Sequence, residues 1–283
     1  MRAILDRLAD VKNSLRPDVF ARSEIAGWVG RHLRESGSSR PRVLDIGLGG
    51  AEDLAELGSA AGSMMIDVLG IECNPERIAA ACAQGIEVHA IDIESERIPV
   101  PDASLDVVTA NHVVEHLKEV FFFFSEVSRV LKPGGIAIVG FPNLGAWHNR
   151  LALLFGAEPP CMRMLGSHVR GITIPGFRRF IEFGGFFTVE RVQGRAFYLL
   201  PRRLGAIAGS AAPGLAAAVH FVLRRTNRSG TFIEVLDMGI AGVEDTPYRR
   251  SAAPRREPAS LEKLRPIAAT GDDSSRAARA QCP

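Results

Sequence analysis

The run Arg42-Val43-Leu44-Asp45-Ile46-Gly47-Leu48-Gly49-Gly50 constrains this chain more than any other stretch. Apolar and β-branched positions lead into an acid and then into three glycines, the pattern of a buried parallel strand ending in a tight turn without Cβ atoms. Backbone in such a turn can approach a ligand closely, and glycine costs enough folding entropy that a cluster of it points to a geometric need. A nucleotide-like ligand and an ordinary strand-to-helix turn are both compatible with it. The sixth position of a G-x-G-x-x-G motif is Glu52, which disfavours a pyrophosphate cradle.

Spacing downstream supports the ligand reading. Asp67 to Glu72 and Glu87 to Ile93 read as strands that end in or beside an acid, and Leu105 to Ala110 reads as a fourth strand running into Asn111 and His112. Asn74-Pro75-Glu76 is a helix start with cap, N1 proline and acid, and Gly85 is its stop. The alternation of strand and helix continues to Gly140. It predicts a doubly wound, mostly parallel sheet with ligands at the carboxyl ends of its strands, where Asp45, Glu72, Asp92 and Asn111 lie. Asp92 has a second reading as the cap of the turn at Glu94.

Asp45-Ile46-Gly47-Leu48-Gly49, Gly70-Ile71-Glu72, Ile91-Asp92, Leu105 to Asn111 and Leu131-Lys132-Pro133-Gly134-Gly135 together resemble the class I S-adenosylmethionine-dependent methyltransferases over about residues 15 to 240. The resemblance implies a Rossmann-like seven-stranded sheet and an enzyme using S-adenosyl-L-methionine. It places the cofactor on Asp45, Gly47, Gly49, Glu72, Cys73, Asp92, Ile93 and Asn111. The run Phe141-Pro142-Asn143 with Trp147-His148-Asn149-Arg150-Leu151 also resembles the MetW-type proteins, which leaves a cofactor-binding module acting through a partner enzyme as the alternative.

The 283 residues suit one α/β domain over 1–245, with a substrate lid inserted at about 142–175 and an unstructured tail over 246–283. That tail carries eight Lys and Arg against four Asp and Glu, leaving 26 basic and 28 acidic residues in the remainder. The basic excess is therefore not on the domain, and nucleic acid is disfavoured as a partner; a small molecule is expected. Met1 to Arg7 lacks the apolar core of a secretory leader, and four cysteines without C-x-x-C spacing suit a reducing compartment, so a cytoplasmic location is expected. Leu204 to Leu223 is uncharged but rich in Ala and Gly and broken by Pro213; it reads as a packed or interfacial helix, with no transmembrane segment. Interfacial membrane contact stays open, and so does the oligomeric state.

The candidate chemistry beyond the cofactor centres on His112-Val113-Val114-Glu115-His116, read as the opening of a helix Val113 to Leu131. His112 is the first candidate for a proton acceptor, with His148 and His168 of the lid behind it. The H-x-x-E-H pattern resembles the E-x-x-E-H of ubiquinone-pathway and small-RNA 2′-O-methyltransferases, which hold a divalent ion there. His112 in place of the first acid weakens such a site, so no metal is favoured and His112, Glu115 and His116 remain its alternative ligands. The four consecutive phenylalanines from Phe121 point around a whole helix, so at least one must leave the core stripe. The final strand lies in either Val219 to Arg225 or Phe232 to Leu236. The implied reaction is methyl transfer to a small molecule, favouring a hydroxyl oxygen on a secondary metabolite or lipid-like compound.

Overall fold

The computed structural model describes residues 19–49, 56, 64–198 and 200–239. The expected first crossover helix at Glu52–Leu57 and the tail from Thr246 fall outside the described residues, apart from Glu56. Helix α1 (Arg22–Ser36) buries Ile25, Ala26, Val29, Gly30 and Leu33 and stops at Gly37, whose φ of 66° is left-handed. Strands β1 (Arg42–Ile46) and β2 (Asp67–Ile71) follow, then α2 (Pro75–Cys82), where the Asn74 side chain accepts from the N–H groups of Glu76 and Arg77 as its cap. Next come β3 (Glu87–His89), β4 (Leu105–Asn111), α3 (Val120–Val130) and β5 (Leu131–Pro142). The chain continues through α4 (Trp147–Leu154), α5 (Ile174–Glu182), β6 (Phe187–Arg195), α6 (Arg202–Ala211) and β7 (Ala218–Arg225).

The seven strands lie in the order β3-β2-β1-β4-β5-β7-β6. β1 to β5 are mutually parallel, and β7 is antiparallel to both β5 and β6. Period-two alternation sorts the sheet's side chains onto two cores. Leu44, Ile46, Val108, Ala110 and Val139 face a phenylalanine-rich core under α3 and α5, while Val43, Val107, Ile136, Ile138 and Val222 face α1 and α2. Phe121, Phe123 and Phe124 are all buried, and Phe122 is the half-buried ring.

One open choice is settled and three expectations are corrected. The final strand is β7, and Phe232–Asp237 is a 3-10 turn capped reciprocally by Thr231 and Glu234. Leu204 to Leu223 is not one helix: Pro213 ends α6, and the second half is strand. No described helix is long and apolar enough to cross a membrane. The helix after β4 starts at Val120, because Glu94 reaches across to accept from the N–H groups of Lys118 and Glu119 at 2.6 and 2.9 Å; Val114–His116 is a separate 3-10 turn. Cys73 and Cys161 are free thiols, whereas Cys82 is disulfide-bonded, which the sparse cysteine pattern does not predict.

Candidate active site

The β1 turn bends as its glycines require. Gly47 has φ +78° and Gly49 φ +56°, and a Cβ on Gly47 would lie 2.8 Å from a Val113 methyl. Beside the turn opens a cavity of about 420 Å³ at the carboxyl ends of β1, β2 and β4. Its walls include Gly47, Glu72, Cys73, Asp92, Ile93 and His112 from the expected set. Asp45, Gly49, Asn111 and His168 do not line it.

Glu72 is 5 % exposed, and its Oε1 accepts from the N–H groups of Cys73 and Asn74 at 2.9 and 3.0 Å. Its Oε2 is buried and accepts no hydrogen bond, with Arg77 Nη1 at 3.5 Å as its ion partner. A buried carboxylate oxygen beside a cavity, with lone pairs unused, suits the vicinal hydroxyls of a ribose. Ile71, Ile91, Val113 and Leu117 add apolar walls suited to a flat heterocycle. These residues therefore fit an adenosyl group.

Asp92 lines the same cavity, but its carboxylate accepts from Glu94 N–H at 3.0 Å and Ser95 Oγ–H at 2.8 Å, so it also caps the turn after β3. Asp45 is 1 % exposed and accepts from Thr109 Oγ1–H at 2.5 Å, which fixes β1 to β4 from inside. Asn111 tethers the segment before α1, its Nδ2 donating to Phe20 O at 3.0 Å. Arg77, Glu94 and His116 were missed as cavity residues by the sequence reading. Arg77 had a signal, since it sits in the first turn of a helix whose cap follows Glu72.

His112 takes a left-handed backbone, φ 57°, which is strained for a residue with a Cβ. Its ring nitrogens both face acceptors: Nε2 is 3.1 Å from Val19 O and Nδ1 is 3.2 Å from Glu115 Oε1. Neither therefore presents a lone pair to a substrate hydroxyl. Glu115 is 1 % exposed; its Oε1 meets only His112 Nδ1, and its Oε2 accepts no hydrogen bond.

Two further histidines complete this corner. His116 Nδ1 lies 3.1 Å from Ser167 O, and His168 Nδ1 lies 3.0 Å from Cys161 O. A carbonyl only accepts, so in each ring Nδ1 carries a proton, and in the neutral ring Nε2 is the ligating nitrogen. The two rings are 4.8 Å apart, and one ligating atom from each of Glu115, His116 and His168 falls within 4.8 Å of the others. An ion would draw this span in, since N and O ligands sit about 2.0–2.2 Å from zinc. Two imidazoles oriented by backbone carbonyls and one buried carboxylate are donor types that a divalent transition metal accepts. Spacing alone could not reveal it, because His168 is 52 positions from His116.

A second, largely apolar cavity of about 260 Å³ adjoins the same turn, with Val114, Phe121, Ile172, Phe177 and Phe180 among its walls. His148, the other lid candidate, reaches neither cavity. Its ring packs on Tyr198 with centroids 4.4 Å apart, and burial holds both the His148 pKa below and the Tyr198 pKa above their ordinary values. The neighbouring Asn143 and Asn149 are structural: Asn143 donates to Ala216 O at 2.9 Å and Asn149 to Asn143 O at 2.8 Å, latching the insertion to the strand β7 entrance.

Residues 44–139 match the family described as a methyltransferase domain. The matched segment runs from β1 into β5, and so takes in the Gly47 turn and most of the residues that line the 420 Å³ cavity. The chain is 30 % identical over 147 residues to a probable S-adenosylmethionine-dependent methyltransferase of Mycolicibacterium smegmatis, covering 51 % of each chain. It is 31 % identical over 150 residues to a ubiquinone biosynthesis O-methyltransferase of Sinorhizobium medicae, covering 49 % of this chain and 56 % of that one. The chain thus spans about half the length of the curated relatives it matches. The fold is shared with the CurJ carbon methyltransferase (TM-score 0.52, 14 % identity, 73 % of this chain and 54 % of that one). It is also shared with a putative sarcosine dimethylglycine methyltransferase from Galdieria sulphuraria (TM-score 0.50, 15 % identity, 72 % and 86 %).

Proposed function

We propose that this chain transfers a methyl group to a hydroxyl oxygen of a small acceptor with an apolar body, and that the acceptor oxygen is handled at Glu115, His116 and His168. The observation that carries this reading is the buried Glu115 carboxylate, paired with His112 at 3.2 Å, with a ligating atom of each of His116 and His168 within 4.8 Å and His116 on the cavity wall. The relatives named as ubiquinone biosynthesis O-methyltransferases agree with an oxygen acceptor, and the apolar cavity under Val114 suits a hydrophobic ring or chain.

S-adenosylmethionine, when bound, supplies the electrophile, a methyl group already activated on a sulfonium. Glu72 and the Gly47 turn would hold the adenosyl part, which leaves alignment of the acceptor and removal of its proton to the protein. A divalent cation on Glu115, His116 and His168 would polarise the acceptor hydroxyl as a Lewis acid. With two nitrogens and one oxygen, this set suits Zn²⁺, Mn²⁺ or Fe²⁺ better than Mg²⁺, which prefers oxygen. His112 pairs with Glu115 and anchors the Val19 segment, so it acts here as a positioning residue.

An acceptor panel with labelled S-adenosylmethionine tests the reaction. Label is expected in O-methylated products of catechols and phenols bearing apolar substituents. Transfer only to amines or to RNA would overturn the oxygen assignment. Cofactor binding without transfer to any acceptor would favour a MetW-type binding module.

A further inference from the structure

We propose that the 143–172 insertion, together with the adjoining 196–216 segment, is a docking surface for an anionic lipid bilayer. The second half of α4 stands clear of the domain. Leu151, Leu153, Leu154 and Phe155 are all exposed, Leu154 and Phe155 by 78 % and 77 %, and no charge interrupts Leu151 to Ala157. The following loop raises Met164, 85 % exposed, and Leu165 beside it. α6 adds exposed Leu204 and Ile207. Isolated apolar side chains on a surface need no explanation, but a set concentrated on two touching segments marks an interaction site. The segments do touch: the His148 ring packs on Tyr198, and Asn143 Nδ2 donates to Ala216 O.

Charge selects the partner. Residues 143–172 and 196–216 contain five arginines and one acid, Glu158, although the domain before Thr246 is slightly acidic. Arg150 donates to the backbone carbonyl of Gly145, so its charge is not spent on a carboxylate there. Protruding Leu and Phe tips with arginines around them match an interface between acyl chains and anionic headgroups. A twofold contact with a second copy would set the arginines of one surface against those of the other. Nucleic acid would use the arginines but leave the apolar tips in water. The surface lies at the carboxyl end of the sheet, and Leu165 is three residues from His168, so docking brings the candidate acceptor corner to the lipid interface.

Sedimentation of the full chain with vesicles tests this. Binding is expected to vesicles of phosphatidylcholine mixed with phosphatidylglycerol, to weaken with salt, and to be far weaker with phosphatidylcholine alone. A Leu154→Asp/Phe155→Asp variant should lose at least about tenfold in partitioning, since each tip buries a large apolar group. Arg150→Gln should lose about fivefold. A second variant, Met164→Ser/Leu165→Ser, tests the loop independently, and S-adenosylhomocysteine affinity reports that each variant is folded. Absence of vesicle binding, equal binding to neutral and anionic vesicles, or undiminished binding of both double variants would overturn the proposal. A dimer dispersed by Leu154→Asp/Phe155→Asp, with no vesicle binding, would assign the surface to a second copy instead.

Discussion

Glu115→Ala is expected to lower methyl transfer by about two to four orders of magnitude while changing cofactor affinity by no more than a few-fold. Glu115 is enclosed and its Oε2 accepts no hydrogen bond, an arrangement that costs folding free energy unless something charged completes it. His112 offers one partner at 3.2 Å, and a ligating atom from each of His116 and His168 lies within 4.8 Å of the carboxylate. If a cation joins them, chelation should lower the rate as far as Glu115→Ala does, Mn²⁺ or Zn²⁺ should restore it, and His168→Ala should behave like His116→Ala. If His112 is instead a free base, His112→Ala alone should be severe and chelation without effect. The predicted ordering places His112→Ala as the mildest of the four, because its ring nitrogens are committed to Val19 O and Glu115.

Arg129→Ala is expected to destabilise the fold by about 3–5 kcal/mol, the cost of stranding a buried ion partner. Arg129 Nε and Nη2 donate to the two oxygens of Glu126 at 2.8 and 2.5 Å, and Nη1 donates to Asp102 at 2.7 Å. The guanidinium also donates to the carbonyls of Ile98 and Val100 at 2.8 and 3.0 Å. These bonds, with Glu126 first, hold its pKa above the ordinary value against burial. Removing it leaves Glu126, 5 % exposed, with only the exposed Arg97 at 3.7 Å and the Ile98 N–H as partners, and strips the Val100 carbonyl of its side-chain donor. Thermal unfolding should fall by roughly ten degrees. Arg129→Met/Glu126→Leu should recover most of that loss, because deleting both charges removes the desolvation cost. A single alanine variant with an unchanged melting temperature would show that the pair contributes little.

The legible parts of this protein were those written in local chemistry. The β1 glycine turn, the Asn74-Pro75 cap and the acid at Glu72 each depend on a few adjacent residues, and the structure realises all three. The start of α3 was misplaced because His112, Glu115 and His116 share helical spacing, while the true boundary is set by Glu94 from 24 positions away. The choice between the two final apolar runs was undecidable locally. Either has strand character, and only insertion between β5 and β6 selects Ala218–Arg225. The same limit hid the Glu115 corner, because burial of its carboxylate and the approach of His168 are products of the lid's tertiary course. Asn111 shows the converse: its position at a strand end is legible, but the contact of its Nδ2 with Phe20 O joins residues 91 positions apart and is not.

The central claim is that the cavity beside Gly47 and Glu72 is the cofactor site. Calorimetric titration with S-adenosylhomocysteine tests it most directly. One site of micromolar-range affinity is expected, and Glu72→Ala should weaken it by about ten- to a hundredfold through loss of hydrogen bonds to a charged group, with the circular dichroism spectrum unchanged. The same affinity in wild type and Glu72→Ala, or no binding by folded wild-type protein, would contradict the account.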